Sequence, residues 1–194
     1  YIDIWRDNAP KSILEIAYKY NENGQRKLAN LAVLNSLSKR SNAAGLRAGF
    51  LCADPDVILS YSKIAANGLA LVPTPLLNVS AEIYRDTVHN KMVREHYNRA
   101  FKIAEQYLKC SIPDAGFFLW LPVGDDIKCT KLLWEHMAIK VIPGSYMAVA
   151  NNGTNPASGY IRIAMVHRLD IIEEAMKRLQ RFFQNIWQEH QIND

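Results

Sequence analysis

The chain has little cysteine, and the cysteines that it has are not grouped. The 194 residues contain three, Cys52, Cys110 and Cys129, which are widely spaced and form no Cys-x-x-Cys pair. Secreted domains held together by disulfides normally carry an even, closely spaced set, so this pattern does not favour that class. An odd number of scattered thiols is typical of a reducing compartment. We therefore predict a cytoplasmic protein.

Long apolar runs, basic clusters and metal-binding patterns are missing as well. No apolar stretch approaches the roughly 20 residues that a membrane-spanning helix needs. The net charge is +4, but lysine and arginine are scattered and do not form a nucleic-acid-binding arm. Among the five histidines, His89 and His96 share a predicted helix face without a third ligand nearby. We expect no membrane, nucleic-acid or metal partner.

The remaining composition is that of a globular protein with a core. Hydrophobic residues make up 49% of the chain and charged residues 22%, without internal repeats or low-complexity segments. The length permits one large domain or two small ones. The chain opens on Tyr1 instead of methionine and runs at once into folded-looking sequence, so we expect it to be a piece of a longer protein.

The most informative stretch is Ser36–Phe50, with the sequence SLSKRSNAAGLRAGF. Lys39 follows two nearby serines, and Arg47 comes eight positions later between two glycines. A lysine attacks an aldehyde only as its free amine, which burial or neighbouring cations favour. An arginine offers a planar, permanently charged fork that suits phosphate, and glycines let the backbone approach a ligand closely. This spacing indicates a reactive lysine beside a phosphate-binding arginine.

A short apolar run, Leu28–Leu34, precedes this stretch and predicts a strand buried on both faces. Lys39 would then lie just beyond the carboxyl end of that strand, where open α/β sheets bind their ligands. The alternative is a surface loop, in which Ser, Lys, Arg, Asn and Gly are all common. The strand together with the Gly-x-Arg-x-Gly-Phe sequence favours a binding site.

Arg162 is a second candidate for a functional residue. It lies in the apolar segment Tyr160–Val166, where alternation places Arg162 on one strand face and Ile161 and Ile163 on the other. An unpaired buried charge is costly, so this arginine needs an anionic partner. A substrate carboxylate would fit its fork. The alternatives are a structural salt bridge or an exposed edge strand.

The remaining elements follow from periodicity and from turn residues. We predict helices over 10–21, 55–68, 80–110 and 131–137, strands over 116–123 and 160–166, and a last helix that begins at a capping box formed by Asp170 and Glu173.

The pattern Ser-x-Ser-Lys-x5-Gly-x-Arg-x-Gly-Phe resembles the pyridoxal-phosphate lysine signature of class I/II aminotransferases. Three further blocks resemble the same enzymes in the same order: Gly116–Pro122, Pro143–Ser145 and Asn155–Ala164. The similarity is greatest to the succinyldiaminopimelate aminotransferase branch, which works in bacterial lysine biosynthesis. The resemblance implies an α/β fold, the aminotransferase-like fold type I. Residues 1–89 would form the end of the large mixed-sheet, cofactor-binding domain, and 90–194 a small α+β domain.

The resemblance also implies roles for individual residues. Lys39 would hold pyridoxal 5'-phosphate as a Schiff base, and Arg47 and Ser36 would bind its phosphate. Arg162 would bind the α-carboxylate of the substrate. Tyr1 looks like the tyrosine that bonds the phenolic oxygen of the cofactor, although one residue could equally be an ordinary strand-end tyrosine. The family's aspartate, which pairs with the pyridine nitrogen, would lie three residues before Tyr1 and outside this chain.

The implied function is a transaminase that exchanges an amino group between an amino acid, with glutamate as donor, and a 2-oxo acid. The resemblance favours N-succinyl-2-amino-6-oxopimelate as acceptor. Alternatives are an aspartate, alanine or aromatic aminotransferase, a cofactor-dependent β-lyase or decarboxylase, and a regulator domain without turnover. Enzymes of this family form homodimers with pockets at the interface. We expect the chain to be inactive alone, because half of the pocket is missing.

Overall fold

The computed structural model describes residues 3–20, 28, 30–68 and 72–188. The chain divides into two compact units, Tyr1–Arg94 and Glu95–Asp194. They are called unit 1 and unit 2 below. The assignment of 1–89 to a large domain and of 90–194 to a small one stays a prediction.

Unit 1 combines a two-stranded sheet with helices. Its elements are α1 (Ile13–Tyr20), β1 (Ala32–Ser36), α2 (Leu37–Arg40), β2 (Gly49–Ala53), α3 (Pro55–Gly68), α4 (Thr74–Arg85) and the first part of α5 (Thr87–Leu108). The predicted helix over 55–68 is confirmed, because Asp54 accepts a hydrogen bond from the Asp56 N–H at 3.1 Å and proline occupies the first helical position. The predicted helix over 10–21 is confirmed with a later start.

The strand before the lysine differs from its prediction. It begins at Ala32 instead of Leu28, and its side chains are exposed or half-buried, with Leu34 78% exposed. Within the part of the chain that the structure describes, β1 pairs only with β2, in an antiparallel register that runs from Ala32–Ala53 to Ser36–Gly49. The prediction of a strand buried on both faces is therefore wrong for these residues, because an apolar run becomes buried only where other elements cover it.

The predicted long helix over 80–110 is two helices. Helix α4 ends at Arg85, and α5 begins at Thr87. Between them Asp86 has an extended conformation, and its Oδ1 accepts a hydrogen bond from the His89 N–H at 2.8 Å. A short acidic side chain that bonds the backbone competes with helix continuation, so Asp86 ends one helix and caps the next. Apolar periodicity did not reveal the break, because the spacing continues across it.

Unit 2 is built on a three-stranded antiparallel sheet. Besides the rest of α5 it contains β3 (Phe118–Pro122), α6 (Asp126–Met137), β4 (Ile142–Pro143), β5 (Tyr160–Ala164), α7 (Leu169–Arg181) and a π-helical segment, Phe182–Trp187. The strand order is β3–β5–β4, with β5 in the centre. Both predicted strands are confirmed with shorter bounds. Helix α6 begins earlier than predicted, because Asp125 accepts a hydrogen bond from the Lys128 N–H and caps it.

One face of this sheet forms the core of unit 2. Alternation along β5 buries Ile161 and Ile163, as predicted, and leaves Arg162 on the other face. Helices α5 and α7 cover the buried face with Phe101 and Leu179, both fully buried. Each such side chain contributes about 1.5–3 kcal/mol to stability by leaving water.

The predicted capping box at the start of α7 is wrong. The helix begins at Leu169, and the residue that precedes it, Arg168, makes no side-chain cap. Asp170 lies inside the first turn, where it pairs with Arg168 at 3.1 Å. Glu173 instead accepts a hydrogen bond from the Tyr107 hydroxyl at 2.9 Å. The Glu173 carboxylate, which the local pattern assigned to a helix cap, therefore makes a tertiary hydrogen bond instead.

Within 3–20, 30–68 and 72–188, none of the helices is both long enough and apolar enough to span a membrane.

Candidate functional site

The lysine lies in a single helical turn directly after β1. Ser36 ends the strand and caps α2, because its Oγ accepts a hydrogen bond from the Ser38 N–H at 3.1 Å. Leu37, the first residue of α2, is fully buried. Lys39 and Ser36 are both exposed. The prediction that the lysine directly follows the carboxyl end of a strand agrees with this geometry.

Arg47 lies near the other end of the same loop, shortly before β2. It follows a short 3₁₀ turn, Ala44–Leu46, and has a left-handed conformation with φ of 51°. Its Nη1 donates a hydrogen bond to the Ala44 carbonyl at 3.0 Å, and the side chain is exposed. This contact uses one edge of the guanidinium and leaves other N–H donors available for an anion.

The base of the loop is held by the β1–β2 ladder. Leu37 N–H donates to the Ala48 carbonyl at 3.2 Å, and Ser36 faces Gly49 in the register. A Cβ atom on Gly49 would lie 2.3 Å from the Asn35 carbonyl oxygen, so only glycine fits there. Loop 37–48 therefore starts and ends at one place, and brings the predicted residues Ser36, Lys39 and Arg47 to the same end of the sheet.

Arg40 anchors the turn, a role that sequence reasoning missed. Its Nη1 donates to the Ile83 carbonyl at 3.1 Å, its Nε lies 3.7 Å from Asp3 Oδ1, and its side chain is only 11% exposed. The Asn90 amide in turn donates to the Arg40 carbonyl at 3.1 Å. These bonds tie α2 to α4 and α5. The signal was the basic residue next to Lys39, but its partners are distant in sequence and could not be inferred.

A second missed contact fixes the strand that leads into the turn. The Tyr84 hydroxyl donates to Asn35 Oδ1 at 3.1 Å, and Asn35 Nδ2 donates to Asp3 Oδ2 at 3.2 Å. Burial and the neighbouring Asp3 carboxylate raise the pKa of Tyr84, against the opposing charge of Arg40. Tyr84 therefore acts as a neutral hydrogen-bond donor that supports the end of β1.

Arg162 lies in unit 2, in the central strand of the sheet. It is half-buried and faces Trp120 and Ile142 in the register. Its Cζ atom lies 4.4 Å from the centroid of the Phe118 ring. No carboxylate among the described residues forms an ion pair with it, so the structural salt bridge that we considered finds no partner there. The predicted substrate carboxylate remains a suitable one.

A buried aspartate holds the start of the strand that carries Arg162. Asp126 is 3% exposed and accepts three hydrogen bonds: from Ser145 N–H at 2.7 Å, Ser145 Oγ–H at 2.9 Å and Gly159 N–H at 3.2 Å. Burial by itself would raise the pKa of Asp126, but these hydrogen bonds outweigh it and lower the pKa. The carboxylate thus joins the turn at Ser145 to the residue before β5.

The other predictions have different outcomes. Tyr1 lies outside the described residues, so its predicted role stays a prediction. His89 and His96 each contact a backbone carbonyl at 3.1 Å, of Ser41 and His167 respectively. In the part of the chain that the structure describes, no group of three His, Cys, Asp or Glu residues could hold a metal ion.

Comparison with known proteins gives a consistent result. The family profile "Aminotransferase class I and II" matches residues 13–179. The crystal structure of an aminotransferase from Neisseria meningitidis superimposes with a TM-score of 0.81 at 32% identity, covering 91% of this chain and 46% of that chain. The chain therefore has the fold type I architecture of these enzymes.

Two curated relatives are similar over most of this chain. The 4-dedimethylamino-4-oxo-anhydrotetracycline transaminase OxyQ of Streptomyces rimosus is 27% identical over 92% of this chain and 48% of its own length. The LL-diaminopimelate aminotransferase of Moorella thermoacetica is 27% identical over 76% of this chain and 38% of its own length. The chain thus spans less than half of the length of these relatives. Members of the matched family depend on pyridoxal phosphate. With the profile covering most of its residues, the chain belongs to the class I and II aminotransferases.

Proposed function

We propose that the whole protein is a pyridoxal-phosphate-dependent aminotransferase, which moves an amino group from an amino acid to a 2-oxo acid. The observation that carries this proposal is the closed loop 37–48, in which Lys39 and Arg47 share one end of the β1–β2 sheet with Ser36. The family to which the chain belongs supports the same reaction.

The residues of the loop fit the cofactor. A phosphate requires positive charge and hydrogen-bond donors, and Arg47 and Ser36 offer an exposed guanidinium and an exposed hydroxyl. The Ser36 oxygen already accepts a bond from the Ser38 N–H, so its own proton remains available for donation. Lys39, also exposed and between them in sequence, would bind the aldehyde carbon of the cofactor.

When bound, the cofactor supplies an electron sink for the pair of electrons left on the substrate α-carbon. Lys39 would hold the cofactor, and its free amine would serve as the base and then the acid that moves the proton of the substrate α-carbon. Arg162 binds the α-carboxylate through two parallel N–H bonds and so orients the α-carbon. Tyr1 would bond the phenolic oxygen, a role that stays a prediction.

Replacing Lys39 tests the proposal. In the full-length protein, Lys39→Ala should abolish transamination and remove the visible absorption of the lysine-bound cofactor, since no other group replaces the amine. The matched control is Lys63→Ala, at an exposed lysine of α3, which should keep both signals. Turnover retained in Lys39→Ala would sink the proposal.

For the substrate we infer N-succinyl-2-amino-6-oxopimelate with glutamate as donor, in lysine biosynthesis. The order of the sequence blocks supports this choice, and a relative named for the related LL-diaminopimelate reaction is compatible with it. Aspartate, alanine or aromatic aminotransferase activity is the alternative. A screen of half-reactions, which follows the cofactor absorption with each candidate donor, separates these choices.

The alternatives to transamination have their own signatures. Release of pyruvate or CO2 instead of keto-acid exchange would indicate a β-lyase or decarboxylase. Cofactor binding without turnover would indicate a regulator domain.

The assembly is part of the same proposal. We infer a cytoplasmic homodimer, with 1–89 in the large domain and 90–194 in the small one, and no activity in the 194-residue chain alone. Apolar side chains exposed in unit 1, such as Leu34 and Ile64, support the inference that more protein covers this unit. Light scattering on the full-length protein tests the dimer, and a transaminase assay of both lengths tests the requirement for the missing part.

A further inference from the structure

The face of the unit 2 sheet that does not form the core is aromatic around Arg162. Phe118 lies under the guanidinium, with 4.4 Å between Cζ and the ring centroid. Trp120, the register partner of Arg162 on β3, stacks on Tyr160 with centroids 5.5 Å apart and ring planes 14° apart. Trp120 is 40% exposed. None of the described residues therefore closes this face of the sheet to a ligand.

The Phe118 ring contacts a second ring that lies on its core side. Phe117 contacts it with centroids 4.5 Å apart, and Phe117 in turn stacks on Tyr97 of α5 at 5.2 Å. Phe117 and Tyr97 are buried. A continuous row of rings therefore extends from the core to the guanidinium of Arg162. Such a row limits the movement of Phe118, and Phe118 limits that of the cation above it.

Stacking and hydrogen bonding use different parts of a guanidinium. A ring face attracts the cation along the direction normal to its plane, whereas the N–H donors lie in the plane and point outward. Among the described residues, Arg162 has Phe118 as its ring partner and no hydrogen-bond acceptor. The guanidinium is therefore oriented while its fork of donors stays available.

We propose that Phe118 is a positioning residue for Arg162: its ring fixes the guanidinium plane so that the fork meets the substrate α-carboxylate without reorganisation. This inference rests on the proposed function, in which Arg162 binds that carboxylate. The ring lowers the entropy lost on binding, since an arginine that is free to rotate would have to be ordered by the ligand. Phe118 itself takes no part in proton transfer.

The first experiment measures binding, independent of turnover. Glutarate, a dicarboxylate without an amino group, is titrated calorimetrically into full-length protein in which residue 118 is phenylalanine or a phenylalanine of increasing ring fluorination. Fluorine withdraws charge from the ring face while the ring keeps nearly the same shape. We expect the glutarate Kd to rise stepwise, to a total of about 3- to 30-fold. A Kd that does not change with fluorination would overturn the proposal.

The second experiment compares substitutions. Phe118→Leu should raise KM for glutamate by a similar factor and leave kcat nearly unchanged, as expected when ground state and transition state lose the same contact. Phe118→Tyr should restore KM, and isoglutamine, which has an α-carboxamide, should show no loss in Phe118→Leu. The control Phe183→Leu removes another half-buried ring of unit 2, at 5.4 Å from Phe182, and should leave KM unchanged.

The outcomes separate this inference from the proposed function. Equal effects of Phe118→Leu and Phe183→Leu on KM, or equal losses for glutamate and isoglutamine, overturn the positioning role alone. The proposed transaminase function instead stands or fails with Lys39→Ala, which does not alter the Phe118–Arg162 stack. If Phe118→Leu does not fold, the fluorinated series still decides the matter.

Discussion

Ser36 and Gly49 face each other across the β1–β2 ladder, and this pair closes the loop that carries Lys39 and Arg47. The two strands approach so closely there that a Cβ atom on Gly49 would lie 2.3 Å from the Asn35 carbonyl oxygen and 3.3 Å from the Ser36 Cα. Backbone contact thus holds together the two ends of the loop that carries Lys39 and Arg47. The side chains of the loop only occupy positions that the ladder has fixed.

Gly49→Ala should therefore destabilise the full-length protein and loosen the loop. The added methyl group meets backbone and not a flexible side chain, so we expect a loss of about 1–3 kcal/mol in the free energy of unfolding. Urea denaturation measures it. The control is Gly45→Ala, where no atom outside Gly45 and its two chain neighbours lies within 4 Å of the added Cβ. That change should be neutral or slightly stabilising, because alanine restricts the unfolded chain. Equal results for the two variants would contradict the close approach at Gly49.

Asp126→Asn should cost about 1–3 kcal/mol of stability, because one carboxylate oxygen becomes an NH₂ group that cannot accept the buried hydrogen bonds. Chemical denaturation at neutral pH provides the measurement. The neighbouring Asp125→Asn is the control: its side chain caps α6 by accepting from Lys128 N–H, a role that asparagine fills equally well. We expect a change of a few tenths of a kcal/mol at most in that variant.

The Asp126 effect should also depend on pH in one direction. Hydrogen bonds to the carboxylate, which outweigh burial, hold the pKa of Asp126 below its ordinary value in the folded protein. A group with a lowered folded pKa stabilises the protein above its unfolded pKa of about 4, and this stability is lost as the pH falls through the folded value. The difference between the parent protein and Asp126→Asn should shrink below about pH 4. A difference that stays constant through this range would contradict the assignment.

Cys129 should resist alkylation in the folded protein. Its side chain is fully buried, and burial together with the charges of Asp125 and Asp126 raises the pKa of its thiol to about 12. Only the thiolate reacts, so iodoacetamide near neutral pH should not modify Cys129 until denaturant is added. Mass spectrometry of the digested protein identifies the labelled cysteine. The half-buried Cys52 should react before it. Labelling of Cys129 at the rate of the unfolded chain would show that α6 does not bury it.

Asp86→Ala should weaken the junction between α4 and α5 by about 1 kcal/mol, because the His89 N–H loses its acceptor at the start of α5. Asp86→Ser keeps an oxygen at the same place and should retain most of the stability. Thermal unfolding of the full-length protein compares the two. If alanine matches serine, the side chain is not what ends α4.

The local sequence pattern was sufficient to predict several features of the fold. The helix at Pro55–Gly68 follows from a capping aspartate, a proline and a terminal glycine. The alternation around Arg162 placed the arginine on one face of β5 and its neighbours in the core. In each case the interactions that decide the structure join residues that are close in sequence, so the amino-acid sequence is enough to predict the element. The motif around Lys39 was readable for the same reason.

Contacts between distant residues decided the rest. The sequence by itself determined that Lys39, Arg47 and a strand end belong together, and the anionic partner that it predicts for Arg162 stays a prediction. Only the tertiary structure decided that Arg40 anchors the lysine turn through Ile83 and Asp3, and that Phe118 lies under Arg162. Such pairings depend on how strands and helices meet, because burial and ring stacking arise between surfaces that the order of residues alone does not bring together.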